Sequence, residues 1–170
     1  MKAVKWPLVW LSLSFHLSWA QGEEVTPREA AKRLVGVWQG DVHEQLDGLL
    51  QVSRWKVTRR ADGTFSYEDV TLFPSRGVYV PDAYEGVWEI SGEFYIEKDE
   101  EGEVTTFVWF FKKEEELRIT MVDEGHEPDV FVERKAEQEK ALEVPDTYRS
   151  LTWEQMDALI AAGQEAEGSD

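Results

Sequence analysis

From residue 36 to residue 134 apolar and polar side chains alternate with a period of two, in eight short runs separated by turn residues. The runs span 36–43, 50–60, 64–73, 84–90, 93–98, 104–112, 117–122 and 130–134. A period of two is the signature of strands with one buried face. Ala61-Asp62-Gly63 and Ser91-Gly92 are hairpin turns, and the acidic stretch from Asp99 to Gly102 is another. No helical crossover separates the runs, so the sheet is expected to be antiparallel and meandering. Closing it into a barrel removes the exposed edges that an open sheet would leave. The residues point to an all-β antiparallel barrel or sandwich, and an eight-stranded up-and-down barrel is the attractive form because closure leaves no edge.

Two segments outside this pattern read as helices. Thr26-Pro27-Arg28-Glu29 has a capping threonine, a proline suited to the first helical position and a glutamate placed for a capping box. That helix is short and stops at Gly36. Thr152-Trp153-Glu154-Gln155 opens a second, with Trp153, Met156, Leu159 and Ile160 on one stripe and Gly163 at its end. Residues 135–143 are charged and helix-permissive. The second helix is expected to dock on the barrel wall, where it would cover the sixth run. That run, Phe107-Val108-Trp109-Phe110-Phe111, is apolar on both faces and otherwise leaves an adhesive patch.

Residues 1–20 have the layout of a cleavable signal peptide. Lys2 and Lys5 form the positive region, Leu8 to Leu17 the apolar one, and Ser18-Trp19-Ala20 the small-residue cleavage site. The apolar stretch is shorter than the ~20 residues needed to span a bilayer. With no cysteine in the chain there is no site for a lipid anchor. The expectation is a secreted or periplasmic protein with no membrane anchor after cleavage. Its parts are a signal at 1–20, a barrel at 21–135, a C-terminal helical extension at 136–163 and a disordered tail at 164–170.

The formal net charge is −17, and cleavage makes it more negative by two, since Lys2 and Lys5 leave and no acid does. Such a field repels nucleic acid and anionic membranes and draws cationic partners. The missing cysteines exclude disulfides, thiol catalysis and thiolate metal sites. Stability must come from the core, which carries a heavy aromatic load.

No catalytic set emerges. There is no nucleophile elbow, no phosphate-binding glycine loop, and the acidic turn lacks calcium-loop spacing. His43 and His126 lie among carboxylates, the setting of a metal or axial haem ligand, but both read more simply as exposed polar positions. No cofactor or metal is expected. Alternation instead places aromatics inside: Trp55, Phe65, Tyr67, Phe94, Phe107 and Trp109 are the candidate ligand-binding residues. A barrel of eight strands is either filled by such side chains or hollow, and the residues leave both open. The connection 74–83, with two prolines and Gly77, reads as a corner or a lid at the rim.

Four short motifs, in order, resemble those of lipocalins and their bacterial lipocalin-like relatives, of the calycin barrel type. They are Gly36-Val37-Trp38 on the first strand after a short helix, Asp62-Gly63-Thr64-Phe65 at a hairpin, Gly86-Val87-Trp88 in mid-chain, and Arg134 at the end of the last strand. The resemblance covers about residues 26–135. It implies a lipocalin-like barrel closed structurally by Arg134 stacked on Trp38, and a non-enzymatic protein with a small hydrophobic ligand inside. The alternative is a packed barrel that binds a protein or polysaccharide through its outer surface. An isomerase or lyase rests on fold analogy alone.

Overall fold

A computed structural model of the chain describes residues 25–46, 48–122, 130–136 and 141–167. The signal peptide expected at 1–20, and His126, lie outside them. The chain runs α1 (Pro27–Leu34), β1 (Gly36–Leu46), β2 (Leu49–Arg59), β3 (Thr64–Phe73), a single 3-10 turn (Pro74–Arg76), β4 (Val78–Ser91), β5 (Phe94–Asp99), β6 (Val104–Lys113), β7 (Glu116–Met121), β8 (Val130–Lys135), β9 (Arg149–Ser150) and α2 (Trp153–Glu167). Strands β1 to β8 pair antiparallel with their sequence neighbours, and β8 pairs back to β1, so the sheet closes into an up-and-down barrel.

The alternation places one face of each strand inside. Trp55, Val57 and Arg59 point inward from β2, and Phe107 and Phe111 from β6. One end of the barrel is packed solid by Trp38, Phe65, Phe111 and Leu117, all fully buried. There α1 is a plug. Thr26 caps it by accepting from the Glu29 amide at 3.3 Å, Pro27 opens it, and Ala30 and Leu34 bury against the floor. Trp38 Nε1 donates to the Leu34 carbonyl at 2.8 Å, which satisfies a terminal acceptor of the helix.

The cation at the floor is Lys135, not Arg134. Lys135 Nζ lies 5.6 Å from the Trp38 ring centroid and donates to the Arg33 carbonyl at 3.2 Å. Glu133 is buried inside, so its neighbour Arg134 points outward and is exposed. Closure of β1 on β8 rests on their backbone ladder, from Trp38↔Lys135 to Gly40↔Glu133.

The connection expected at 74–83 is mostly strand. One 3-10 turn suffices, and β4 runs unbroken from Val78 through Pro81. Proline is tolerated because β5 joins β4 only from Gly86 onward, which leaves Pro81 with β3 alone as its ladder partner. The free edge nearby is taken by β9, which runs parallel to Val78 and Tyr79.

Helix α2 does not cover β6. Its Met156 buries with Phe73, Val78 and Val80, and Leu159 and Ile160 pack beside it. Through Phe73↔Val78 and Tyr67↔Tyr84 these positions continue the inward rows of β3 and β4. The helix thus seats on a hairpin tip that projects past the barrel, at the end opposite α1. It continues through Gly163 to Glu167, since an interior glycine costs a helix only about 1 kcal/mol. The tail expected from 164 is helical to that point. On the outer face of β6, Val108 stays exposed beside the exposed Phe94.

Candidate functional site

Above the packed floor the barrel is hollow. A cavity of about 340 Å³ lies within it, at the lower end of the range of ~300–1,000 Å³ for small-molecule sites. Its aromatic wall is Trp55, Tyr67, Tyr84, Phe107 and Phe131. Tyr67 and Tyr84 stack at 4.7 Å, and Trp55 meets Phe131 edge-on at 5.8 Å. Each wall residue occupies an inward position of its strand, with Val57, Ile119 and Val42 between them.

Of the six aromatics read from the sequence as ligand-binding, Trp55, Tyr67 and Phe107 line this cavity. Phe65 is inside but belongs to the packed floor, edge-on to Tyr84. Trp109 also packs with the core, against Phe111. Phe94 is outside, 37 % exposed. The inward residues of β5 are instead Tyr95 and Glu97. The sequence reading places Phe94 inside, and alternation alone does not decide it, since either phase of this strand carries an aromatic. The phase is set by what Tyr95 and Glu97 find across the barrel.

They find Arg59. Its guanidinium is wholly buried and donates through Nη1 and Nη2 to Glu133, at 2.7 and 3.3 Å. Nε donates to the Tyr95 hydroxyl at 2.8 Å, and Glu97 lies 3.8 Å from Nη2. The Tyr95 hydroxyl in turn donates to Glu97 Oε1. Trp55 Nε1 completes the set by donating to Glu133 at 3.2 Å. A buried arginine is tolerated only with its donors engaged in this way. Burial is the largest influence on Arg59 and works against its charge, but Glu133, Tyr95 and Glu97 outweigh it and raise its pKa. Burial raises the Glu97 pKa too, opposed by Arg59 and by the Tyr95 bond. Burial likewise pushes the Tyr95 phenol well up.

Nearer the mouth stands Asp69, directly opposite Asp82 in the β3–β4 ladder. Its Oδ1 is buried without a hydrogen-bond partner among the described residues. Burial, then the Asp82 charge, holds its carboxyl up at about 6. Glu44 and Ser53 complete this rim, and Ser53 Oγ lies 3.1 Å from Thr71 Oγ1. His43 is exposed on the outer face, 3.5 Å from Asp41, and cannot serve as an axial ligand inside. Among the described residues no group of three or more His, Asp or Glu is placed to hold a metal ion, and no described helix is long and apolar enough to cross a membrane.

Chemically the cavity offers stacking faces, one fully engaged cation and several carboxylates. Sequence reading missed the Arg59, Glu97 and Glu133 cluster, although Arg59 sits two residues beyond Val57 on the same inward row. No protein-family model matches the chain, and no curated protein matches it in sequence; what the structure establishes is a closed eight-stranded antiparallel up-and-down barrel.

Proposed function

We propose that the chain is an exported, lipocalin-like binding protein that holds a small molecule with an apolar body inside its barrel and does no chemistry on it. One observation carries this reading: the inward rows of the strands stop filling the barrel above its floor and leave an aromatic-walled cavity of about 340 Å³. The lipocalin-like assignment draws support from Gly36 and Trp38 at the plugged end and from the Asp62–Thr64 turn. Export draws its support from the layout of residues 1–20.

The neutral dye N-phenyl-1-naphthylamine tests it. It should bind the mature protein once per chain, and Ser53→Phe, which places a ring in the cavity, should weaken binding at least tenfold without lowering the melting temperature by more than a few degrees. Equal binding to Ser53→Phe would place the dye elsewhere and end the reading.

A second reading has its own observation. Phe94 and Val108 are cross-strand neighbours, 37 % and 39 % exposed, and Thr120 links them to the exposed Val130. This apolar row on the outer wall supports an interaction module for a protein or polysaccharide. Val108→Asp should abolish such binding and leave dye uptake untouched.

A further inference from the structure

We propose that the ligand of this cavity is an organic cation, a small protonated or quaternary amine with an aromatic or aliphatic body, its charge held at Asp69 and its body against Tyr67, Tyr84 and Trp55. The inference rests on the binding reading above and specifies its ligand class.

Charge within the cavity decides the matter. Among the described residues four carboxylates line it, Glu44, Asp69, Glu97 and Glu133, against a single cation, Arg59. That cation is not free for an incoming anion. Glu133 takes both terminal nitrogens and Tyr95 takes Nε. A ligand carboxylate or phosphate would have to displace a buried bidentate pair and then sit among the remaining acids, at a cost in unpaired buried charge. A cation meets the opposite situation. Thr71 bonds the Asp69 carboxylate, but among the described residues its Oδ1 is buried without a hydrogen-bond partner, and the facing Asp82 adds negative charge. Such a carboxylate gains a charge-assisted hydrogen bond from an ammonium group.

The walls suit the same ligand. The faces of tyrosine and tryptophan attract cations through the ring quadrupole, most strongly where water is excluded. Tyr67 shares the inward row of Asp69 on β3, and Tyr84 shares that of Asp82 on β4. A second depression adjoins the cavity, with Tyr84, Glu97 and Thr105 common to both. It runs between β4 and the β5–β6 turn, and its other charged residues, Asp82, Asp99, Glu100, Glu101 and Glu103, are all acidic. With the net charge of −17, this acidic approach concentrates cations at the barrel and repels anions.

The test compares three molecules of one shape: 2-phenylethylamine, 2-phenylethanol and 3-phenylpropionate, by titration calorimetry at pH 7.5 on the mature protein. The amine should bind at least tenfold tighter than the alcohol, and the carboxylate should bind weakest. In Asp69→Asn the amine-to-alcohol affinity ratio should fall toward one, with Glu97→Gln as a second variant should the first fold poorly. Two results overturn the proposal. One is a carboxylate that binds as tightly as the amine. The other is an amine preference that survives both variants. If N-phenyl-1-naphthylamine enters the barrel while the three molecules bind alike, the cation assignment falls and the binding reading stands. If neither the dye nor any of the three binds, both fall together.

Discussion

The two halves of the barrel are built from the same strands by opposite means. At the floor, Trp38, Phe65, Phe111 and Leu117 exclude water by area alone, with Ala30 and Leu34 of α1 beneath them. Facing the cavity, the inward rows carry Arg59, which stands opposite Phe65 at the floor end of β2, with Glu97 and Glu133; these are nearly as inaccessible but polar. Strand β8 shows the change in a few residues: Lys135 lies over Trp38, Glu133 clasps Arg59, and Phe131 stands on the cavity wall. Burying a large apolar side chain stabilises by about 1.5–3 kcal/mol. A buried ion pair contributes little net stability, because desolvation offsets most of the attraction, and yet it is costly to break. The floor therefore supplies stability, and the cluster supplies shape. It fixes where packing stops and where the cavity begins.

The largest expected effect comes from splitting the cluster. Glu133→Ala leaves the Arg59 guanidinium buried without its bidentate acceptor and should cost about 3–5 kcal/mol in urea unfolding. The paired replacement Arg59→Met with Glu133→Leu removes both charges. It should recover most of that loss, and the cavity should then take the neutral dye more tightly. A paired variant as unstable as Glu133→Ala would mean that the cluster holds the fold itself, against the division drawn above.

Glycines on the two halves provide the next contrast. A Cβ on Gly86 would strike the Lys98 carbonyl and the Phe65 ring, so backbone and packed floor must both move. Gly86→Ala should cost about 1–3 kcal/mol by overpacking. The three atoms nearest to a Cβ on Gly40 all belong to the Trp55 ring, which stands beside open space. Gly40→Ala should cost less in stability and more in dye affinity, as Trp55 swings into the cavity. Equal losses at both sites would show the upper barrel to be as tightly packed as the floor.

A smaller effect isolates Asp69. Its carboxyl titrates near 6 in the folded chain, above the ordinary aspartate value of 3.8. The native state therefore holds its proton more tightly than the unfolded state, and stability from this group falls as pH rises from about 4 to about 6. Burial and the charge of Asp82 on β4 raise its pKa, and a hydrogen bond from Thr71 opposes them. Asp69→Asn should raise stability at pH 7.5 by about 1 kcal/mol, a figure discounted for its partial exposure, and leave it unchanged at pH 4. Thermal melts at the two pH values measure this. A gain at pH 4 equal to that at pH 7.5 would show that the charge is not what destabilises.

Much of this architecture was legible in the residues. Seven of the eight strands lie within a few residues of their alternating runs, because turn glycines such as Gly63, at φ 85°, and Gly92, at φ 64°, mark the boundaries physically. The fourth strand was read too short, since Pro81 suggested a loop and only the topology frees its edge. The cavity was half legible. Trp55 and Phe107 follow from alternation, but Phe94 took the wrong phase, because an apolar rule cannot see that Tyr95 and Glu97 pair with Arg59 across the barrel. Extending the Trp55–Val57 row to Arg59, and the Phe131 row to Glu133, brings opposite charges to inward positions on two strands, and that signal was available. The partners of α2 were not legible, because its stripe fits the apolar wall of β6 as well as the hairpin tip of β3 and β4.

The smallest effect decides which cation finishes the floor. The motif resemblance points to Arg134, and the strand phase points to Lys135. Since Glu133 is inward, Arg134 is outward and exposed, and its removal should change stability by no more than about 0.5 kcal/mol, the usual range for a surface substitution. Lys135 lies over Trp38 and also donates to the Arg33 carbonyl near the C-terminus of α1, where a positive charge is favoured. Lys135→Ala should therefore cost about 0.5–1 kcal/mol and loosen α1 first. Amide hydrogen exchange in residues 27–34, measured beside urea unfolding, separates the two variants. Faster exchange in Lys135→Ala and none in Arg134→Ala assigns the closing cation to the lysine. The reverse would mean that the phase of β8, and with it the inward placement of Glu133, is wrong.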